Sequence, residues 1–418
     1  MDIREYVIEK AKAAKEASRY MNCAHSSTKD NALRAMAQAL MDNIDNIIQA
    51  NSLDMEKGEK TGLSKGMLDR LLLNRKRIEG MASGLSKIAD LQDPIGEAIR
   101  AWKTPDNLTI SQIRVPLGVI GIIYEARPNV TVDAAGLCIK SGNTVILRGG
   151  SEAVNSNKAI ADIISSAGVK AGLPEGFLQY LENTDREAVK VLMRLNEYVD
   201  VLIPRGGAGL IKTVVENSTV PVIETGVGNC HVFVDESANF DMARDIVINA
   251  KTQRPAVCNA METLLVHSSI ADKFLPYLKE GLDKYNVELR GCRKTAAILE
   301  NIKEACEEDW AAEYLDLIMA VKVVDSLEEA VDHIYKYSTK HSEAIITENY
   351  SNAERFLNEV DAAAVYVNAS TRFTDGGEFG FGGEIGISTQ KLHARGPMGI
   401  KELTSTKYVI HGQGQVRK

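Results

Sequence analysis

One cysteine of this sequence lies in a setting that could make it reactive. Cys258 falls in QRPAVCNAMET, between a proline turn and the apolar run 264–266 that predicts a buried strand. A thiol reacts as its thiolate, and Arg254 upstream supplies the kind of positive charge that lowers a thiol pKa. A small buried side chain is the alternative, because free cysteines are commonly buried. The residues alone therefore leave a choice between a nucleophile and a packing residue.

The other cysteines have weaker contexts. They stand at Cys23, Cys138, Cys230, Cys292 and Cys306. Cys230 in GNCH is the rival nucleophile because His231 follows it, but sequence neighbours on a strand point to opposite faces. The sequence has no C-x-x-C pair and no histidine at ligand spacing from two cysteines. We therefore expect neither a metal site nor a disulfide framework.

Three glycine-containing loops follow predicted strands and are candidates for binding a phosphate-bearing ligand. They are RGGSEAVNSN from Arg148, RGGAGLIK from Arg205 and ETGVGNCH from Glu224. Glycine lets the backbone approach a ligand, and arginine adds positive charge. The G-x-G-x-x-G fingerprint of dinucleotide binding is incomplete in the last two loops, because Lys212 and His231 replace the third glycine. Simple turn formation is the alternative explanation for these glycines.

The elements that must position these residues form two alternating runs. The strands GVIGIIYEARP, NTVILR, FLQYL, VDVLIP and PVIET alternate with helices, and ETLLVH, MAVKVV, SEAIIT and AAVYVN do so again after Cys258. This alternation predicts parallel, doubly wound sheets, whose ligands bind where strands end.

The flanking segments follow other patterns. Residues 2–60 predict two amphipathic helices and 70–89 a third, and a single helix is expected at 294–307. Near the end, TSTKYVIHG predicts an isolated strand that would seek a partner sheet in another subunit.

Composition excludes several classes of function. With 418 residues the chain is long enough for two or more domains, and 44% hydrophobic residues are typical of a globular protein. A net charge of -8 and the lack of a clustered basic segment argue against a nucleic-acid partner. No apolar run approaches the roughly 18 to 20 residues of a membrane span. The charged N-terminus does not resemble a signal peptide, so we expect a cytoplasmic protein without a membrane partner.

Several motifs together carry a family resemblance. The order GNTVILR, PRGGAG, VIETG, the loop cysteine, EYLDLI and VYVN is similar to the aldehyde dehydrogenase superfamily along nearly the whole chain. The segments VPLGVIGIIYEARPNVT, VLIPRGGAGL, QRPAVCNAMETLLVH and DGGEFGFGGEIGISTQKLHARGPMG further resemble the γ-glutamyl phosphate reductase family within it.

The resemblance implies an aldehyde dehydrogenase-like α/β fold of two doubly wound domains and a small β flap. Residues 1–105 and 116–235 would form the cofactor domain, and 236–384 the catalytic domain. Residues 106–115 and 385–418 would form an oligomerisation flap and a C-terminal strand. We therefore expect a homo-oligomer.

The resemblance also implies an activity. It is the NADPH-dependent reduction of L-glutamate 5-phosphate to L-glutamate 5-semialdehyde and phosphate through a Cys258 thioester, the second step of proline biosynthesis. The product cyclises spontaneously to 1-pyrroline-5-carboxylate. Glutamate 5-kinase, which makes the labile acyl phosphate, is a candidate partner. An oxidising aldehyde dehydrogenase and a non-catalytic protein on the same fold are the alternatives.

One position departs from the superfamily pattern. Oxidising members place an asparagine in a W-N-x-P turn to stabilise the oxyanion, and this chain has alanine at 126 in Glu-Ala-Arg-Pro. The backbone N–H of Cys258 and another donor, for which Asn129 is the candidate, would have to replace it. Glu224 matches the general base that oxidising members use for hydrolysis. Because reduction has no hydrolytic step, Glu224 would either tune the site or be structural.

The remaining site residues follow from the resemblance and from loop positions. The cofactor would contact Arg148, Gly149, Ser151, Arg205, Gly206, Gly207, Gly226 and Glu313. The charged substrate would contact Arg127, Arg254, Arg372, Asp375, Glu378, His393 and Arg395. Glu313 matches the residue that holds the nicotinamide ribose, and Arg148 could contact an adenosine 2′-phosphate. Ser151 would tolerate that phosphate, but the residues alone do not decide between NADPH and NADH.

Overall fold

A computed structural model describes residues 2–417 of the chain. Its backbone contacts divide into two compact units. The first contains the residues up to Thr225, Gly380–Gly386 and the residues from Met398 onward. The second contains Gly226–Phe379 and Ile387–Pro397. The sequence-based boundary lay near residue 235, whereas the segment 226–235 belongs to the second unit.

The first unit combines a helical N-terminal region with a parallel sheet. Its helices are α1 Ile3–Met21, α2 Ser26–Asp42, α3 Ile44–Lys60, α4 Lys65–Leu71, α5 Arg75–Asp90, α6 Asn129–Lys140, α7 Val154–Lys170, α8 Arg186–Leu192 and α9 Ala208–Asn217. Its first strands are β1 Ala98–Lys103, β2 Thr109–Pro116, β3 Val119–Tyr124, β4 Thr144–Gly149, β5 Leu178–Tyr180 and β6 Val201–Arg205.

The parallel sheet of this unit has the order β5-β4-β3-β6. All six residues of β3 are buried, because helices cover both faces of a doubly wound sheet. Three predictions need correction. Residues 2–60 form three helices instead of two, the helix predicted at 70–89 is interrupted between Leu71 and Arg75, and PVIET contributes only a single bridge from Val222 to Leu202.

The second unit also has a parallel sheet. Its strands are β7 Cys230–Val234, β8 Met261–His267, β9 Glu288–Gly291, β10 Lys303–Glu304, β11 Ile318–Val324, β12 Ser342–Ile346, β13 Ala364–Val367, β14 Ile387–Ser388 and β15 Gly396–Pro397. Its helices are α10 Phe240–Thr252, α11 Ser268–Leu282, α12 Arg293–Ile298, α13 Glu307–Trp310, α14 Leu327–Tyr337 and α15 Tyr350–Glu359, and short 3-10 turns occur at Asp283–Tyr285 and Thr371–Phe373.

Seven strands of this unit follow the order β10-β9-β11-β8-β7-β12-β13. The central β7 and β8 bury nearly every residue, so their apolar runs form the core between the covering helices. The single helix predicted at 294–307 is wrong. Leu299 is extended and Asn301 has a φ of 58°, so α12 ends and a short edge strand precedes α13.

A separate antiparallel sheet contains β1, β2 and the last strand, β16 Thr404–His411. β16 pairs with β2 over its whole length, from Thr404 opposite Pro116 to His411 opposite Thr109. The predicted isolated strand therefore finds its partner within its own chain. Most of the segment 106–115, predicted as a flap, forms part of β2, and β1 belongs to the same sheet.

Among the described residues, no helix combines the length and the apolar character needed to cross a membrane.

Candidate active site

The candidate nucleophile lies in the loop that joins α10 to β8 in the second unit. Cys258 is half-buried there, three residues before β8 begins at Met261. Gly228, just before β7, approaches the Cys258 backbone so closely that an added Cβ would lie 1.4 Å from the Cys258 carbonyl oxygen. The loop thus lies at the amino ends of two parallel strands, whereas the general rule for ligands points to carboxyl ends.

Cys230, the rival cysteine, supports this loop. Its side chain is fully buried, and its Sγ donates a hydrogen bond to the Cys258 carbonyl oxygen at 3.2 Å. Burial raises the pKa of Cys230 well above that of an ordinary thiol, and the nearby Glu343 raises it further. Cys230 is therefore a neutral donor that fixes the loop.

A second set of bonds ties the cysteine loop to the segment after β13. The buried Asn259 donates from Nδ2 to the carbonyl oxygens of Thr374, at 2.9 Å, and Arg372, at 3.3 Å. Thr371 donates from its hydroxyl to the Asn259 carbonyl oxygen at 2.8 Å. These bonds hold residues 371–374 against the loop that carries Cys258.

Three of the predicted substrate residues share this environment. The guanidinium of Arg372 donates from Nε to Gln253 at 2.8 Å. Burial lowers the pKa of Arg372, the positive charge of Arg254 lowers it further, and Asp375 and Cys258 oppose these effects. Arg372 therefore interacts electrostatically with Arg254, Asp375 and Cys258. Two arginines near the cysteine suit an anionic substrate.

Glu313 contacts the loop before β7. Its Oε1 accepts a hydrogen bond from the Gly228 N–H at 2.7 Å. The next strand, β11, begins only at Ile318. Glu313 lies in the connecting loop, where its second carboxylate oxygen can take another donor.

Sequence reasoning missed a buried ion pair behind this loop. Lys251 and Glu262 are both fully buried, with Nζ 2.5 Å from Oε2. Burial raises the pKa of Glu262 and lowers that of Lys251, so it favours the neutral form of each. A glutamate inside the apolar strand METLLVH was the available signal. Glu262 also accepts from the Leu315 N–H at 3.3 Å and so steadies the segment after Glu313.

Other predicted substrate residues lie elsewhere in the second unit. Arg395 pairs with Asp361 at 2.8 Å, and Asp361 also binds Lys391 at 2.9 Å. His393 is exposed and has a φ of 66°. Glu378 is exposed and donates its N–H to Asp375 at 3.3 Å. None of these described contacts brings the three residues to Cys258.

The candidate cofactor residues of the first unit gather at the carboxyl ends of β3, β4 and β6, as the sheet topology predicts. At the N-terminus of α9, the Gly207 N–H donates to Glu125 Oε2 at 2.8 Å. The Glu125 N–H in turn donates to the Arg205 carbonyl oxygen at 3.1 Å. Gly206 packs so closely that an added Cβ would lie 2.5 Å from the same Glu125 oxygen. An anionic oxygen therefore occupies the end of α9.

The turn that replaces the W-N-x-P motif has an unusual backbone. Ala126 has a φ of 27°, and its N–H donates to Glu152 Oε1 at 2.6 Å. Asn129 begins α6, and its Nδ2 donates to Asp133 at 2.9 Å. Burial raises the pKa of Asp133 to about 6, against the opposing effects of Asn129 and Arg205. One amide N–H of the candidate oxyanion donor is thus already engaged.

Arg148 is less available to a ligand than its sequence position suggested. Its guanidinium donates to the carbonyl oxygens of Gly149, at 3.0 Å, and Thr184, at 2.8 Å. Burial lowers its pKa. The neighbouring Ser151 is exposed, and its carbonyl oxygen accepts from Lys57 Nζ at 3.3 Å.

The last three predicted site residues are Arg127, Glu224 and Gly226, and all three lie in turns or loops. Arg127 is half-buried in the turn before α6, and Glu224 is half-buried after Ile223. Gly226 opens the second unit, where its N–H donates to the Ile387 carbonyl oxygen at 2.8 Å.

A model of the aldehyde dehydrogenase family matches residues 3–308 and 290–409. The γ-glutamyl phosphate reductases of Clostridium novyi and Halothermothrix orenii are 69% and 65% identical to this chain, and each alignment covers 100% of both chains. The chain belongs to the γ-glutamyl phosphate reductase branch of the aldehyde dehydrogenase family. The crystal structure of the γ-glutamyl phosphate reductase from Thermotoga maritima is 54% identical, with a TM-score of 0.96, over 99% of this chain and 100% of that one. The predicted family and fold class are confirmed.

Proposed function

We propose that this protein reduces L-glutamate 5-phosphate to L-glutamate 5-semialdehyde and phosphate, with NADPH as the reductant, as the second step of proline biosynthesis. The family membership supports the reaction, since the relatives carry that enzyme name. The observation that carries the mechanism is the half-buried Cys258, held by Gly228 and Cys230 near charged Arg372. The product then cyclises without the enzyme.

Covalent catalysis begins at Cys258. The positive charges of Arg254 and Arg372 favour its thiolate, and the same charges attract the phosphate of the substrate. The thiolate sulfur bonds to the acyl carbon, the bond from that carbon to the phosphate oxygen breaks, and phosphate leaves with the electron pair. A thioester on Cys258 results. Asp375 faces the same charges and is suited to the substrate ammonium group.

Reduction of the thioester requires a nicotinamide dinucleotide, which supplies a hydride when bound. Cys258 would be the leaving group of this reduction and would be released as a thiolate when the carbon–sulfur bond breaks. The backbone N–H of Cys258 and the second amide N–H of Asn129 are the candidate donors to the developing oxyanion, since one amide N–H of Asn129 is given to Asp133. An acyl phosphate is activated, so it needs less oxyanion stabilisation than an aldehyde.

The residues of the first unit fit the cofactor. The Gly207 N–H at the N-terminus of α9 already holds an anionic oxygen, from Glu125, and a pyrophosphate oxygen would replace it. Arg205 and Gly206 flank that position. Gly149 and Ser151 would meet the adenosine ribose. Gly226 and Glu313 belong to the second unit and stay predicted ligands of the nicotinamide ribose.

Glu224 has no hydrolytic step to catalyse in this reaction. We therefore assign it no proton transfer, although oxidising relatives would need a base there. His393 and Arg395 are assigned to the surroundings of the site, since Arg395 is committed to Asp361.

The flap sheet supports self-association. β16 is an edge strand, and Tyr408 and Ile410 on it are more than half exposed, at 54% and 57%. Edge strands with exposed apolar side chains favour pairing with a second copy.

The proposed location and partner follow from the chemistry. A reducing cytoplasm would keep Cys258 as a thiol. Docking of glutamate 5-kinase would protect the labile substrate in transit.

The reverse reaction tests the proposal. Glutamate 5-semialdehyde and NADP⁺ are followed at the nicotinamide absorbance with and without inorganic phosphate. We expect strict dependence on phosphate, and we expect Cys258→Ala to lose at least about 1,000-fold in kcat, because no other group can form the thioester. Cys23→Ala is the matched control, since Cys23 is exposed in the first unit.

Two results would contradict the proposal. Turnover without phosphate would mean that water resolves the thioester, as in an oxidising aldehyde dehydrogenase. Full activity of Cys258→Ala would remove the covalent mechanism.

A further inference from the structure

The turn after β4 is where this fold must distinguish NADP(H) from NAD(H). In a doubly wound sheet, the adenosine ribose lies at the carboxyl end of the second strand, where an acidic side chain selects the free hydroxyl and a cation selects the 2′-phosphate. Here that strand is β4, which ends at Gly149 and is followed by Ser151 and Glu152. The charges that surround this turn therefore decide the choice of cofactor.

The acidic side chain of the turn points back into the protein. Glu152 Oε1 accepts the Ala126 N–H at 2.6 Å, and an added Cβ on Gly150 would lie 2.1 Å from the same oxygen. Because this carboxylate satisfies the strained turn at Ala126, it is not presented to a ribose hydroxyl. An acidic side chain that could select NAD(H) by binding the free ribose hydroxyl is thus used to hold the turn at Ala126.

The arginine of the turn is also committed. Arg148 donates to two backbone carbonyl oxygens, those of Gly149 and Thr184, and is partly buried. These bonds use two of its five N–H groups and hold the guanidinium against the backbone, and its Nε is buried. Arg148 therefore serves to hold the turn.

Lys57 supplies the remaining positive charge. It lies in the last turn of α3, its side chain is exposed, and its Nζ is 3.3 Å from the Ser151 carbonyl oxygen. One N–H meets this carbonyl, and an ammonium group has three. Among residues 2–417, the ion pairs identified do not include Lys57.

The backbone of Lys57 is fixed relative to the turn. Asp54, one helical turn earlier, is fully buried and accepts hydrogen bonds from the N–H groups of Asn155 and Ser156 at the start of α7. The end of α3 is therefore fastened to the helix that follows the turn. A lysine in this place can meet a ligand at Ser151 without rearrangement of the helix.

We propose that Lys57 recognises the adenosine 2′-phosphate and so sets the preference for NADPH over NADH. The proposal deepens the assigned function, because it names the residue that selects the cofactor. The exposed Ser151 leaves room beside Lys57 for the phosphate.

The test compares Lys57→Ala with Lys60→Ala, a lysine of the same helix end that lies near Glu56. Binding of adenosine 2′,5′-bisphosphate and of 5′-AMP is measured by calorimetry, and kcat/KM is measured with NADPH and NADH. Loss of the charge should weaken bisphosphate binding about tenfold and lower kcat/KM for NADPH to a similar degree. Binding of 5′-AMP and kcat/KM for NADH should stay within about twofold. Lys57→Arg should retain most of the preference, and the effect should shrink at high salt.

The outcomes separate this proposal from the assigned function. Unchanged bisphosphate binding and cofactor preference in Lys57→Ala, beside a wild-type enzyme that turns over, would overturn the role of Lys57 alone. Equal losses for 5′-AMP and the bisphosphate would also overturn it, because they would indicate a structural effect. A wild-type protein without turnover on either nucleotide would instead remove the assigned function, and the calorimetry would still decide the role of Lys57.

Discussion

Two helices of the first unit begin near the carboxyl edge of the same sheet, and a carboxylate from elsewhere in the chain meets each N-terminus. At α7 the carboxylate is Asp54, which is fully buried and accepts four hydrogen bonds from Asn155 and Ser156. At α9 it is Glu125, which is exposed and accepts one bond from Gly207. Both satisfy N–H groups that a helix leaves unpaired.

The two carboxylates differ in burial and in the number of donors they accept, and this difference decides whether a ligand could replace them. A buried carboxylate with four donors cannot leave without stranding those donors, so α7 is closed to ligands. An exposed carboxylate with one donor can be exchanged for another anion at little cost. The N-terminus of α9 can therefore exchange its anion, as the proposed pyrophosphate site requires, and the N-terminus of α7 cannot.

The largest effect should come from Asp54→Ala. This change strands two backbone N–H groups and two side-chain donors in the interior. We expect the free energy of unfolding to fall by about 3 kcal/mol, measured by urea denaturation. Asp162→Ala on the surface of α7 is the control and should change stability by less than about 0.5 kcal/mol. A loss as small as that of the control would show that Asp54 is as dispensable as Glu125.

A smaller effect should come from Ser156→Ala. The Ser156 hydroxyl donates to Asp54 Oδ2 at 2.6 Å and accepts from Asn51 Nδ2 at 3.0 Å. When the hydroxyl is lost, the carboxylate keeps its other donors and Asn51 keeps its bond to the Leu71 carbonyl oxygen. We expect a loss of about 1 kcal/mol in the same denaturation experiment. The loss should shrink in the Asp54→Ala background, because the two side chains are in direct contact. Additive losses would mean that Ser156 acts through another partner.

The smallest effect should come from Glu125→Gln. The amide can still accept the Gly207 N–H, so stability should hardly change. Removal of the charge should tighten NADPH binding about threefold, since a carboxylate no longer competes for the positive end of α9. Fluorescence titration with NADPH measures this change, with Glu187→Gln on α8 as the control. Weaker binding would indicate that Glu125 contacts the cofactor favourably and is not displaced.

Sequence patterns predicted the presence of helices and strands better than they predicted which strands pair with each other. The alternation of apolar strands and helices is local, so most strands of both parallel sheets were found. Breaks without a strong signal were missed, as at Asn43 between α2 and α3 and at Asn301 after α12. The pairing of β16 with β2 joins residues far apart in the chain, and periodicity within a segment cannot reveal it.

Prediction of the site shows the same limit. Cys258 was predicted as the nucleophile because its loop carries a family motif and a nearby arginine, and this role stays a prediction. The carboxylate caps were missed because Asp54 and Glu125 contact residues 101 and 82 positions away, respectively. Arg148 was overvalued because its commitment to Gly149 and Thr184 is visible only in three dimensions.

The approach of Gly228 to Cys258 constrains how this protein can vary. An added Cβ would lie 1.4 Å from the Cys258 carbonyl oxygen, which is closer than any non-bonded contact. Even alanine would have to push the cysteine loop away from β7. In a library with all residues at position 228, selected for growth without proline, glycine should therefore be the only residue recovered. The absence of a side chain at position 228 thus limits which substitutions the candidate active site can accept.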